Sequence, residues 1–261
     1  MTLGILIIAI SLILSVWLYR KTQLEKKIIK EIPLVDWFNL IVFPIIIYIG
    51  LTITIFNIIS RERINIIPTN DSLMMAMIVF LLLTSYVGNA IHFVAKVLHR
   101  YAHPLFRLTQ FYKVNELFHT RLSHSTIFYS GLLLLFSIGL FEINYPLSSE
   151  LNLFQEGVAF LSGIGLGVAS VKSLRIYANY DVDKDDYYFR LIIVSLILLV
   201  LHVFTFNIIN RKISEYQFNL FLRSYLGTIA FIYALRIIIE KFNLDKSRRM
   251  RNLFDDFTVY D

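Results

Sequence analysis

Apolar residues run along this chain in seven long stretches, separated by short polar segments. The stretches cover about residues 3–19, 37–59, 73–98, 126–143, 154–174, 189–209 and 220–239. A helix of about 20 apolar residues crosses ~30 Å of hydrocarbon at 1.5 Å per residue. Inside lipid, only helices and closed barrels satisfy their own backbone. Barrel strands alternate apolar and polar over ~10 residues, and these runs do not alternate. The pattern predicts an all-α polytopic integral membrane protein, a bundle of about seven transmembrane helices. The longest polar interruption is 99–125, so the reading is a single transmembrane domain over 1–261, with 240–261 as a tail.

Composition strengthens this picture. Hydrophobic residues make up 57% and charged residues 17%, against ~45–50% and ~25% in soluble domains. The absence of cysteine removes disulfides, Cys-ligated zinc, iron–sulfur clusters and thiol catalysis. The net charge of +6 is a matter of topology: twenty of the 25 Lys and Arg flank one side of the spans and five flank the other. That bias places the N-terminus outside and the C-terminus in the cytoplasm of a cell membrane. It also removes nucleic acid as a partner and leaves the lipid bilayer as the surroundings. The first stretch lacks a preceding basic region and a small-residue cleavage site, so it is read as an uncleaved anchor.

Chemistry concentrates in one window. Five of the six histidines lie between residues 92 and 124. Residues three and four apart share a helix face, and Ser85, Asn89, His92, Lys96, His99 and His103 follow that rule. The third span therefore carries one polar stripe, from mid-membrane to the cytoplasmic rim. Such stripes turn toward protein or a wet cavity. Pro104 is expected to end this helix at His103, and the next is expected to begin near Asn115. Glu116 and His119 have the Glu-x-x-His spacing that di-metal bundles use. The expected ligand set is His99, His103, Glu116 and His119, suited to zinc, iron or manganese. Asn89, His92, Lys96 and His124 are expected around it or against substrate. His124 is five residues from His119, about 140° away on a regular α-helix, so it stands outside the ligand set. A rim decorated with histidines and snorkelling Lys96, Arg100 and Arg121 accounts for the same residues without a ligand.

Other stretches carry less. DVDKDD at 181–186 opens like an EF-hand loop but has Asp186 and Ile192 where Gly and Glu are required. Ala159, Gly163 and Gly167 form a small-residue face suited to close helix packing, within the chain or in an oligomer. His202 is read as a satisfied intramembrane histidine. The basic SRRMR at 247–251 fits anionic lipid.

Two short motifs have parallels. VGNAIH at 87–92 and LFHT at 117–120, followed by His124 and Ser125, resemble segments of the progestin-and-adipoQ-type receptors and their ceramidase-like relatives. That resemblance implies a seven-span zinc hydrolase with His119 as a ligand. The group's HxxxH pair has no counterpart here, because the last span holds no histidine, and the predicted orientation is opposite. HRYAH at 99–103 and HTRLSH at 119–124 have the first-box spacing of membrane desaturases, without the later HxxHH boxes. The lysine that a microbial rhodopsin needs in its last span is missing from 220–239.

These observations point first to a metal-dependent membrane enzyme acting on a lipid-like substrate. Two other readings fit the same residues: a haem protein with axial imidazoles, and a transporter, channel or scaffold whose stripe lines a pathway.

Overall fold

Each apolar stretch becomes a helix in the computed structural model, which describes residues 1–18, 24, 26–106, 109–178 and 185–241. The side chains of 100–106, 120, 174–178, 185–190 and 236–241 lie outside that description. Helix α1 is Thr2–Leu18. A two-stranded ribbon follows, β1 (Ile28–Ile29) and β2 (Ile32–Pro33), with Ile28 opposite Pro33. Its turn residues Lys30 and Glu31 both have positive φ, the conformation of a two-residue hairpin turn. Helix α2 is Leu34–Ile59 and contains a π turn at Phe38–Val42. Helix α3 is Asp71–Phe106. Helix α4 is Gln110–Ile143, with a second π segment at Leu117–Leu122. Helices α5 (Leu153–Ala178), α6 (Asp185–Ile209) and α7 (Gln217–Lys241) complete the bundle.

Among the described residues, six helices, α2 to α7, are long and apolar enough to cross a membrane. The apolar pattern predicts about seven. The difference is α1, an apolar helix of 17 residues that is shorter than those six. Leu73, Phe80, Phe154, Leu161, Val200 and Ile208 lie exposed on the outside of the bundle. An exterior this apolar belongs against lipid.

Two helix boundaries differ from expectation. Helix α3 continues through Pro104 to Phe106. Proline in a last turn removes one bond from a ladder that is already ending. Helix α4 begins at Gln110, five residues ahead of Asn115, because Thr109 caps it by accepting from the Tyr112 N–H at 3.3 Å. The DVDKDD residues 181–184, SRRMR and the tail beyond Lys241 lie outside the described residues.

The small-residue face of α5 is used inside the chain. A Cβ on Gly163 would stand 2.5 Å from the Phe221 carbonyl oxygen, and one on Gly167 would stand 2.7 Å from Thr228 Cβ. Ala159 is fully buried. Helix α7 therefore packs on this face at Gly163 and Gly167, where the backbones approach closely enough to exclude any larger residue.

One end of the bundle is locked by Glu142, fully buried near the end of α4. Its carboxylate accepts from Arg61 Nη1 at 3.1 Å, from the Phe218 and Asn219 backbone N–H groups and from Asn219 Nδ2. It thus caps α7 and neutralises Arg61 at once. Asn219 Oδ1 is 3.0 Å from His202 Nε2, and Arg223 Nε approaches His202 Nδ1 at 3.4 Å. An arginine only donates, so His202 accepts at Nδ1 and donates from Nε2. As expected, His202 is satisfied within the protein.

Candidate metal centre

The polar stripe of α3 sits at the other end and divides into two rows. Residues seven apart fall on nearly the same line of a helix. Asn89 and Lys96 reach α2: Asn89 Nδ2 donates to the Leu40 carbonyl at 2.9 Å, and Lys96 Nζ pairs with Asp36 Oδ1 at 2.7 Å. His92 and His99 reach α4: His92 Nδ1 lies 3.3 Å from Ser123 Oγ, and His99 Nδ1 lies 2.5 Å from Glu116 Oε1. The stripe is a wedge between α2 and α4.

The π segments explain why both neighbours meet it. Leu40 belongs to the π turn of α2, where the widened turn disturbs the backbone ladder, and its carbonyl accepts from Asn89. The π segment of α4 holds His119. A π turn closes i to i+5, so His119 and His124 come round to the same side. Their rings are 5.8 Å apart by centroid, and each faces His92, at 5.0 and 4.6 Å. Asn115 secures the packing by donating from Nδ2 to the Ala95 carbonyl at 2.9 Å.

Among the described residues, two groups that could hold a metal ion result. His92, His119 and His124 bring one ligand atom each within 4.8 Å of one another, and so do His99, Glu116 and His119. Of the expected set, His99, Glu116 and His119 are together, whereas the side chain of His103 lies outside the described residues. His124 and His92, expected around the ligand set, form with His119 a group that could itself hold an ion. Asn89 and Lys96, expected in the same supporting role, are ties to α2.

The hydrogen bonds prepare His92. The single hydroxyl proton of Ser123 goes to the His119 carbonyl at 2.6 Å. Ser123 Oγ therefore accepts from His92 Nδ1–H, which leaves His92 Nε2 with its lone pair. Fixing a ring through its other nitrogen is how proteins orient metal-ligating imidazoles. His119 Nδ1 has Glu116 Oε1 at 3.8 Å.

A cavity of about 290 Å³ adjoins these groups. Asn89, His92, Lys96 and His124 stand in its wall with Ser15, Asn39, Ser85, Ser170 and Ser173, and Leu12, Phe43, Ile47, Leu51, Leu132, Leu135 and Leu166 are among its apolar lining. Its volume is near the lower end of ligand pockets, ~300–1,000 Å³.

Asp36 was missed by sequence reasoning. It is 1% exposed and lies at the very start of an apolar span. A carboxylate in that position is unusual enough to serve as a signal. The four candidates that the sequence assembled, His99, His103, Glu116 and His119, came from α-helical spacing, whereas the approach of His124 to His119 needs the π segment.

Comparison with protein-family models, with characterised proteins and with solved structures finds no match. The fold and the site define the class: an all-α protein with helices of membrane-spanning length and a buried histidine group able to take a metal ion.

Proposed function

We propose that the protein is a metal-dependent enzyme of the membrane. His92, His119 and His124 hold a single ion, and the apolar cavity takes the chain of a lipid-like substrate. The observation that carries this reading is that His92 and His124 belong both to the three-imidazole group and to the cavity wall. Three imidazoles leave a fourth position open, as catalytic zinc sites do, and imidazole suits zinc and iron equally well. When bound, the ion supplies a Lewis acid and an activated water. The protein's own part is to orient the His92 ring through Ser123, to hold the wall with the Lys96–Asp36 pair, and to keep water from the apolar end.

The Lys/Arg bias supports a site at the cytoplasmic rim, with substrate arriving from that leaflet. Haem fits less well: ring centroids of 4.6–5.8 Å are closer than two imidazoles can stand across a porphyrin.

Elemental analysis of protein purified in mild detergent, with a visible spectrum, tests the reading. One ion per chain is expected, with metal content reduced in His92→Ala/His124→Ala, and no Soret band. Protein without stoichiometric metal after supplementation overturns it. Incubating the metal-loaded protein with ester- and amide-linked lipids, and reading released fatty acid by mass spectrometry, then tests the hydrolytic step.

A further inference from the structure

The two metal-binding groups share one residue, His119, and differ in character. The outer group carries the Glu116 carboxylate, and its His99 and Glu116 side chains are 30% and 31% exposed. The inner group has three imidazoles and no carboxylate, and both His92 and His124 are buried. His92 and His99 lie on one row of α3, seven residues apart, which is about 10 Å along the axis at 1.5 Å per residue. The outer group is thus nearer the end of the helix, and the inner group lies beneath it.

A neutral imidazole has one lone pair. His119 therefore serves one ion at a time, and the two groups are alternative seats. A dication passing straight from water to the inner group would lose its hydration with no carboxylate in that group to replace it. A half-exposed carboxylate beside two imidazoles removes that barrier. It attracts the hydrated ion and replaces its waters in part before the ion moves inward.

Resting on the reading of the inner group as the working site, we propose that His99, Glu116 and His119 form a capture site for a divalent transition-metal ion. From there the ion is handed inward, as His119 changes its partners from His99 and Glu116 to His92 and His124. The outer group is a loading station, and a loaded protein holds one ion.

The test uses full-length protein in detergent micelles, stripped by chelator, with Co²⁺ as the probe and visible spectra recorded by stopped flow. Wild-type protein is expected to pass through an early species to a later one with a different spectrum, ending at one Co²⁺ per chain. His124→Ala is expected to stop at the early species. Glu116→Gln is expected to reach the wild-type final spectrum and stoichiometry, but at least about ten-fold more slowly, the lower end of the cost of losing a partner to a metal-ligating imidazole. His99→Ala is expected to behave like Glu116→Gln, and Glu116→Asp to recover part of the rate. These milder variants carry the comparison if Glu116→Gln is not monodisperse. Loading of Glu116→Gln and His99→Ala at the wild-type rate overturns the proposal. So does a second Co²⁺ per chain, or an altered final spectrum in Glu116→Gln, which makes Glu116 a ligand of the working site. If wild-type protein binds no Co²⁺, the inner-site reading itself falls, an outcome visible before any variant is made.

Discussion

His119 and His124 are five residues apart, yet both face the ring of His92, at 5.0 and 4.6 Å. The π segment Leu117–Leu122 makes this possible. In an α-helix each residue turns ~100°, so five residues leave the two rings ~140° apart, whereas four bring them onto one face. A π segment behaves as an α-helix with one residue inserted. Deleting the exposed Arg121 is therefore expected to convert the segment to α-helix and keep the ring pair, with metal content preserved. Inserting one Ala after Arg121 is expected to swing His124 away and empty the inner group, so that Co²⁺ loading stops at the early species. Co²⁺ spectra of the two variants separate this from a general sensitivity to length, since only the insertion is expected to stop short of the wild-type final spectrum.

The same segment marks the limit of what the sequence shows. Membrane character, the helix positions and the inward stripe of α3 are all legible, because they depend on local apolar patterning. The pairing of Glu116 with His119 is legible too, since i to i+3 lies within one helical turn. His124 is not, because nothing local distinguishes LFHTRL as π from the same letters as α. Asp36 and Glu142 escape for another reason. Each is a lone acid near the end of an apolar run, and its meaning comes from a partner 60 or 81 positions away, Lys96 or Arg61. Spacing rules reach one turn or one heptad, and tertiary pairing lies beyond them.

The Lys96–Asp36 pair is buried, with side chains 11% and 2% exposed. Removing one partner of such a pair leaves a charge without compensation and typically costs about 3–5 kcal/mol, whereas replacing both by apolar residues is often neutral. Asp36→Asn is expected to lower stability by that order, and Asp36→Leu/Lys96→Met to recover most of it. Denaturant unfolding in detergent measures both. If the double variant is as unstable as the single one, the pair does more than neutralise itself.

Glu142 is expected to matter for stability and not for metal. Its carboxylate takes the Arg61 guanidinium and two backbone N–H groups at the start of α7. Glu142→Ala leaves Arg61 buried without its acid and α7 without its cap, for a loss of about 3–5 kcal/mol. Metal content in the folded fraction should match wild type, because the histidine group is at the other end of the bundle. His202→Ala serves as the companion variant: its ring is bonded to Asn219, so it too should leave bound metal unchanged.

Tyr216 offers a test in which a lost group is a gain. The side chain is fully buried and its hydroxyl makes no hydrogen bond among the described residues. A buried polar group without a partner costs about 1–3 kcal/mol, so Tyr216→Phe is expected to be neutral or stabilising near pH 7. The alkaline range gives the second readout. Burial, with Glu215 adding to it, pushes the Tyr216 phenol up to about 12 from an ordinary value of 10. The unfolded chain thus releases this proton first, and the folded protein holds it longer. Stability from this group is fully present below pH 10 and declines as pH rises toward 12. The loss is on the order of 2 kcal/mol, because each tenfold change in proton affinity is worth about 1.4 kcal/mol. Tyr216→Phe cannot ionise and should lose less stability over that interval. Parallel unfolding curves at pH 8, 10 and 11.5 check the difference. Equal declines in the two proteins would mean that the phenol reaches water in the folded state.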